Sequence, residues 1–224
     1  VLRLRNHPSI ALWCGNNEVD EAWHNWGWQQ QYNFSEVDSS KIWNDYLKIF
    51  NQLIPEVLTK VDPQRPYWPS SPKNGWGRKS SMTEGDSHYW GVWWGFEPFE
   101  VYKSKVPRFM SEYGFQGFPD FRTLLTFSTD GKSEPDSAEL KCHQKHPVGY
   151  QTIDKYLQRE GFNPKSLEQE IYLSQVVQSI GYRTAIETHR LAMPRCMGTL
   201  YWQLNDCWPV VSWSSIDYFG RWKA

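Results

Sequence analysis

Short apolar runs alternate along this chain with segments of helical spacing. Strands are predicted where such runs end abruptly in polar or turn-forming residues, near residues 10, 67, 89, 109 and 199. Helices are predicted between them, at residues 38–61, 97–106, 119–127, 153–158 and 164–189. Alternating strands and helices favour a parallel sheet and hence an α/β fold. Because about five strands are too few for a complete (β/α)8 TIM barrel, we predict its C-terminal part only, as one partial domain over residues 1–224.

The strongest periodicity lies in the segment 38–61. Apolar residues recur there every three or four positions, which predicts one buried helix face. Asp38 and the two serines after it are the predicted cap, and Asp62-Pro63 ends the pattern. Pro55 is expected to kink or divide the helix. The predicted buried face comprises Ile42, Tyr46, Ile49, Phe50, Leu53, Val57 and Val61.

Two glutamates follow predicted strands in the same local context. Glu18 comes after the run Ile10–Trp13, and Glu112 comes after the run Arg108–Ser111, each with a glycine close by. The carboxyl ends of parallel strands are where catalytic groups collect in α/β sheets and barrels. A glycosidase needs two carboxyl groups, one as acid/base and one as nucleophile or base. Taken singly, each glutamate reads as a solvated loop residue; their shared context predicts a catalytic pair.

Four further residues are candidates for substrate binding. Asn17, beside Glu18, could hydrogen-bond a sugar hydroxyl, although asparagine is also a common turn residue. Trp26, Trp94 and Trp202 could offer flat apolar faces to a pyranose ring, whereas most of the 14 tryptophans are expected to be ordinary core. Trp202 is the best of the three because it closes a predicted strand beside polar residues.

Composition narrows the class of protein. The net charge of −1 gives no sign of nucleic-acid binding, and no apolar run of 18 residues suggests a membrane span. Aromatic residues make up 17% of the chain, which indicates a folded protein despite a mean hydropathy of −0.69. The first and last residues read as the interrupted ends of elements, so the chain is expected to be an internal piece of a larger protein.

The cysteine, histidine and serine residues do not predict a disulfide framework, a metal site or a serine hydrolase site. The four cysteines are too scattered for a disulfide framework. The stretch Cys142–His146 lacks a second ligand pair, so no metal site is predicted. Neither Ser70 nor Ser71 lies in a tight strand-to-helix turn, so these serines and His88 do not make a hydrolase triad. A lone histidine such as His88 is more often structural than catalytic.

Several motifs together resemble the β-mannosidases of glycoside hydrolase family 2. A Cys-Gly-Asn-Asn-Glu sequence at the first glutamate is similar to these enzymes, whereas the family's β-galactosidases and β-glucuronidases more usually carry Gly-Asn-Glu after a Ser-Leu or similar pair. The motifs occur in the family's order over nearly the whole chain. They are Arg5–Ile10 with Trp13–Glu18, Tyr67–Pro72, His88–Trp93, Ser111–Gln116 and Gly198–Asp206.

This resemblance implies barrel strands four to eight, with Glu18 as acid/base after strand four and Glu112 as nucleophile after strand seven. Trp202 and Asn17 would contact the terminal mannose, and Trp26 and Trp94 are weaker candidates for the same role. The implied reaction is hydrolysis of terminal β-D-mannosides with retention and without a cofactor. The implied partners are the carbohydrate substrate and the missing parts of the same polypeptide. Without those parts, residues 1–224 are expected to be inactive.

Other interpretations remain open at this point. Another family 2 specificity would be β-galactosidase, β-glucuronidase or exo-β-glucosaminidase. A non-catalytic carbohydrate-binding relative would keep the aromatic residues, but it would not need both glutamates. The sequence does not fix the compartment; the resemblance implies a periplasmic, extracellular or lysosomal protein.

Overall fold

The computed structural model describes residues 1–128 and 137–224. Within them the chain forms two compact units, Val1–His88 and Tyr89–Ala224. Both combine short strands with helices, which confirms the α/β class. The C-terminal part of a TIM barrel stays a prediction. In the described part of the chain, no helix is both long and apolar enough to span a bilayer.

The first unit is built on a two-stranded parallel sheet. Strands β1 (Trp13–Asn17) and β2 (Tyr67–Ser71) pair in register from Trp13 opposite Tyr67 to Asn17 opposite Ser71. A π-helical segment, Leu47–Leu53, joins two of the helices, and a short 3₁₀ turn spans Lys79–Met82. The regular elements are β1 (Trp13–Asn17), α1 (Val19–Asn25), α2 (Trp28–Gln31), α3 (Glu36–Tyr46), α4 (Ile54–Val61), β2 (Tyr67–Ser71) and β3 (Ser87–His88).

The strand predicted at Ile10–Trp13 is displaced. The observed strand β1 begins at Trp13 and continues through Asn17, so the residues interpreted as a turn belong to the strand. The side chain of Asn16 stabilises this pairing, because its Nδ2 donates to the Pro69 carbonyl at 2.7 Å and its Oδ1 accepts from Ser70 at 2.9 Å. Pro69 lies inside β2 opposite Gly15, outside the paired positions of the register, so its missing N–H does not interrupt the ladder.

The long helical segment was predicted correctly in extent and wrongly in detail. Ser35, and not Asp38, caps it: the Ser35 side chain accepts from the Asp38 N–H at 3.1 Å. The segment is divided at Pro55, as predicted: the proline lies in the first turn of α4, directly after the π-helical segment that separates α4 from α3. The predicted buried face is largely wrong, since Ile49, Leu53 and Val57 are 44–56% exposed.

The second unit has a dense aromatic core. Its regular elements are β4 (Met110–Glu112), α5 (Phe121–Leu124), α6 (Ala138–Cys142), α7 (Gly149–Arg159) and α8 (Leu167–Leu191), with a 3₁₀ turn at Phe99–Lys103. Phe115 lies at the centre of the core, with its ring 4.7–5.2 Å from those of Trp93, Phe99 and Tyr156. At Gly181 on α8, an added Cβ would lie 2.5 Å from the Phe99 ring, so glycine permits this close packing.

Three strand or cap predictions in this region are corrected. The run 88–94 extends as a strand only to His88, after which Gly91 and Trp93 form turns, with Trp93 at a φ of 79°. The run 197–202 forms a single parallel bridge, between Met110 and Thr199. Helix α8 is capped by Ser166 and begins at Leu167, three residues after the predicted start at residue 164. Residues 129–136 lie outside the described residues, and α6 follows them.

Candidate active site

Glu18 lies where β1 passes into α1. Its backbone N–H donates to the Ser71 carbonyl at 2.8 Å and its carbonyl accepts from Ala22, so both sides of the residue are fixed. Its φ of 58° is in the left-handed region, which is uncommon for a residue other than glycine and is concentrated at functional sites. The Glu18 carboxyl group therefore extends from a rigid corner, directly after a strand as the sequence predicts.

A buried histidine holds the Glu18 carboxyl group. The Nδ1 atom of His88 lies 2.8 Å from Glu18 Oε1, and the two side chains are 3% and 17% exposed. On the other side of the imidazole ring, Nε2 lies 3.1 Å from Ser71 Oγ. Ser71 Oγ in turn donates to Asp86 Oδ2 at 2.5 Å. The four side chains thus form a continuous hydrogen-bonded chain within the first unit.

Asp86 also acts on the neighbouring thiol. Burial raises the pKa of Cys14 to about 11, and the negative charge of Asp86 adds to the increase. Cys14 is therefore an uncharged thiol near neutral pH, beside the hydrogen-bonded side chains that lead from Asp86 to Glu18. The Asp86 carboxylate is itself oriented by the backbone N–H of Lys73, which donates to Oδ1 at 3.0 Å.

Glu112 is the last residue of β4 and is 9% exposed. Its Oε1 accepts a hydrogen bond from Trp90 Nε1 at 3.1 Å, and its backbone carbonyl accepts from the Tyr89 N–H at 2.7 Å. The second glutamate is therefore a buried carboxyl group held by an indole, within the second unit.

Trp202 and Gly114 adjoin this second glutamate. The Trp202 N–H donates to the Tyr113 carbonyl at 2.7 Å, next to Glu112 in the chain. The single hydrogen of the buried Tyr182 hydroxyl is shared between the Trp202 carbonyl at 2.9 Å and the Trp213 carbonyl at 2.6 Å. Burial raises the pKa of Tyr182, so this hydroxyl stays a donor. An added Cβ on Gly114 would collide with the Trp202 carbonyl oxygen, which explains the glycine. The Trp202 side chain is 45% exposed.

The other predicted binding residues are accessible but less tightly placed. Asn17 is the exposed last residue of β1, directly before Glu18. Trp26 follows α1 and is 51% exposed, with its ring edge-on to Trp28. Trp94 is 53% exposed, and its ring lies 4.2 Å from that of His146. These contacts leave the sugar-binding roles as predictions.

Sequence reasoning missed four residues of the site. His88 was interpreted as structural, and Ser71, Asp86 and Trp90 were not considered as partners of the glutamates. A signal was available for three of them, because His88 and Trp90 belong to one of the motifs that resemble family 2 enzymes and Ser71 belongs to another.

Comparison with known proteins identifies relatives across the chain. No protein-family model matches it. It is 37% identical over 235 residues to β-mannosidase B of Neosartorya fischeri and 37% identical over 239 residues to β-mannosidase B of Aspergillus fumigatus. The crystal structure of a β-D-mannosidase from Dictyoglomus thermophilum superimposes with a TM-score of 0.82 at 38% identity. Each match covers 99% of this chain.

These relatives are much longer than the chain. The chain spans 27% of the length of the two fungal proteins and 26% of the bacterial structure. By these similarities the chain resembles one portion of β-mannosidases, which are glycoside hydrolases. Within that class it matches a fragment of a family 2 β-mannosidase.

Proposed function

We propose that this chain is part of a retaining exo-β-mannosidase that removes terminal non-reducing β-D-mannose from oligosaccharides. Glu18 is the acid/base and Glu112 is the nucleophile. The names of the relatives support the substrate class, and the placement of both glutamates at strand ends supports the catalytic pair.

The difference between the two ring partners carries the assignment of roles. The indole N–H of Trp90 can only donate, so it favours the ionised form of Glu112, which is the form a nucleophile needs. The Nδ1 atom of His88 can accept a hydrogen from protonated Glu18 or, in the imidazolium form, donate one to the carboxylate, so the imidazole can share a proton with Glu18. An acid/base must pass through both forms in each cycle.

The proposed reaction has two steps that balance. First, a Glu112 oxygen bonds to the anomeric carbon while the bond to the leaving oxygen breaks and Glu18 gives its proton to that oxygen. A covalent mannosyl ester on Glu112 results. Next, Glu18 takes a proton from water as the water oxygen bonds to the anomeric carbon and the ester bond breaks. Mannose leaves with its configuration retained, and both glutamates return to their starting forms.

The proposal includes a fold and partners beyond the described residues. The chain would contribute strands four to eight of a (β/α)8 barrel, and the remaining strands and accessory domains would come from the missing parts of the same polypeptide. The share of the relatives that the chain covers supports this. Asn17 would bind a hydroxyl of the terminal mannose, and Trp202, with Trp26 and Trp94, would supply apolar faces to the sugar.

The test uses the protein encoded by the complete gene and a panel of aryl β-glycosides. We expect turnover of the β-mannoside, no detectable turnover for Glu112→Gln, and a loss of roughly 10²–10⁴-fold for Glu18→Gln on poor leaving groups. The exposed Glu36→Gln on α3 is the matched control and should keep wild-type rates. A preference for β-galactoside, β-glucuronide or β-glucosaminide would overturn the sugar assignment, and sugar binding without turnover would indicate a non-catalytic relative.

A further inference from the structure

The hydrogen-bonded chain behind Glu18 fixes how many protons its side chains share. The proposed reaction does not by itself require this feature. The hydrogen-bonded chain runs from Asp86 through Ser71 and His88 to Glu18, with contacts of 2.5, 3.1 and 2.8 Å. Asp86 and His88 are 4% and 3% exposed. Asp86 and His88 are therefore largely shielded from water, and their hydrogen-bond partners decide where hydrogens are held.

Ser71 has a single hydroxyl hydrogen, and the structure directs it toward Asp86. A carboxylate can only accept, so the 2.5 Å contact is a donation from Ser71 Oγ to Asp86 Oδ2. Ser71 Oγ then presents a lone pair to His88 Nε2 at 3.1 Å. That contact is a hydrogen bond only when Nε2 carries a hydrogen. The Asp86–Ser71 pair therefore selects the imidazole tautomer protonated on Nε2.

The selected tautomer determines what His88 offers to Glu18. In neutral imidazole with a hydrogen on Nε2, Nδ1 is an acceptor, and its 2.8 Å contact with Glu18 Oε1 requires a hydrogen from the carboxyl group. If that hydrogen moves to Nδ1, His88 becomes an imidazolium and Glu18 a carboxylate. The total number of protons on the pair is unchanged. In both arrangements one proton is held between Nδ1 of His88 and Oε1 of Glu18.

We propose that Asp86 and Ser71 are positioning residues that fix the tautomer of His88 and thereby keep one transferable proton on the Glu18–His88 pair. This inference rests on the proposed function, in which Glu18 protonates the leaving oxygen. When the leaving oxygen takes the proton, Glu18 becomes a carboxylate facing the unprotonated Nδ1 of His88. In the second step Glu18 accepts a proton from water, and the pair of Glu18 and His88 again holds one transferable proton.

The substitution Asp86→Asn reverses the direction of donation along the hydrogen-bonded chain without changing the shape of the residue. The Lys73 N–H donates to Oδ1 at 3.0 Å, so the asparagine keeps its oxygen there and turns its NH₂ group toward Ser71. Ser71 Oγ then accepts from the amide and directs its hydrogen to His88 Nε2. The imidazole carries its hydrogen on Nδ1 and donates to an ionised Glu18, which has no proton to give. In serine hydrolases the equivalent change of tautomer lowers kcat by about 10⁴-fold.

The experiment separates proton donation from structural damage by using two leaving groups. In the complete protein, kcat/KM is measured for phenyl β-D-mannoside, whose leaving group needs a proton, and for 2,4-dinitrophenyl β-D-mannoside, whose leaving group does not. For Asp86→Asn we expect a loss of roughly 100-fold or more on the phenyl substrate and less than about 3-fold on the dinitrophenyl substrate. Ser71→Ala is expected to show the same split with a smaller loss. The exposed Asp45→Asn on α3 is the matched control.

Each outcome decides a different question. Parallel losses on both substrates would show that Asp86 is merely structural, and unchanged rates on both would show that it is not needed; either result overturns the inference. Glu18→Gln is the reference variant: if it lacks the split while the wild type is active, Glu18 is not the acid. A wild-type protein that hydrolyses neither mannoside would refute the proposed function itself, independently of Asp86.

Discussion

His189 provides a test of the packing in the second unit, independent of catalysis. It lies near the end of α8, is 1% exposed, and contacts Thr199 through Nδ1 at 2.9 Å. The Thr199 hydroxyl gives its hydrogen to the Tyr113 hydroxyl at 3.0 Å, so Nδ1 is the donor to Thr199. Among the described residues, Nε2 is buried without a hydrogen-bond partner. Protonation would therefore place an unsatisfied N–H and a charge in the core.

Burial accordingly lowers the pKa of His189 from 6.5 to about 4. Because the folded pKa is the lower one, the unfolded chain binds the proton more tightly, and acid favours unfolding. The stability that His189 contributes as a neutral group is fully present above about pH 6.5 and is lost as the pH falls toward 4. For a single group with these two pKa values, the loss between pH 7.5 and 5.0 is about 2 kcal/mol, or about 30-fold in the opening equilibrium.

The assay is hydrogen exchange of peptides from α8 (Leu167–Leu191), measured by mass spectrometry at the two pH values and corrected for intrinsic exchange. Exchange reports local opening in a larger protein, where one global unfolding free energy is not defined. We expect opening of α8 to increase about 30-fold more in the wild type than in His189→Phe. The substitution also removes a hydrogen bond worth about 1 kcal/mol, but that cost is independent of pH.

The matched control is His7→Phe, which removes an exposed histidine from the first unit and should keep the wild-type dependence. Acidic groups elsewhere contribute equally to the wild type and to both variants, so they cancel in the comparison. If His189→Phe showed the same pH dependence as the wild type, His189 would not be a buried neutral group and the packing argument would be wrong.

Two further predictions concern the surroundings of the glutamates. Gly114→Ala should lower the free energy of unfolding by about 1–3 kcal/mol and reduce kcat/KM, because the added Cβ collides with the Trp202 carbonyl oxygen. The control is Gly77→Ala, whose added Cβ meets nothing within 4 Å. It should change neither thermal unfolding nor kinetics. Cys14 should react slowly with iodoacetamide at pH 8 and accelerate toward pH 11, since the thiolate is the nucleophile, and Asp86→Asn should speed the reaction. Peptide mass spectrometry measures the labelling, and an inflection near pH 9 in the wild type would contradict the shift.

Local patterns predicted the elements whose causes are local. Helix α5 lies within the predicted helix 119–127, where Asp120 caps it by accepting from the Arg122 N–H at 2.9 Å. The apolar spacing of the C-terminal helix corresponds to α8. The local pattern also predicted that Glu18 follows a strand. Caps and periodic faces depend on residues three or four positions apart, so a single sequence contains the necessary information.

The errors arise where distant residues decide the structure. The strand β1 extends to Asn17 because its backbone pairs with Tyr67–Ser71, and the side chain of Asn16 bonds across that pairing instead of forming a turn. The face of the long helical segment was predicted to be buried from its spacing alone. Spacing identifies a helix but does not supply a partner, and Leu53 in that face is 56% exposed.

The roles of the two glutamates show the same limit. In the sequence, Glu18 and Glu112 have nearly equivalent surroundings, and only the resemblance to family 2 enzymes distinguishes acid from nucleophile. The structure adds a physical distinction, because one carboxyl group contacts the donor-only indole of Trp90 and the other contacts the imidazole of His88. His88 lies 70 residues from Glu18, and its tautomer depends on the partners of Ser71. The proton that the proposed reaction requires is therefore controlled by tertiary contacts, and substitutions remote from the glutamates in sequence should change the chemistry of one without affecting the other.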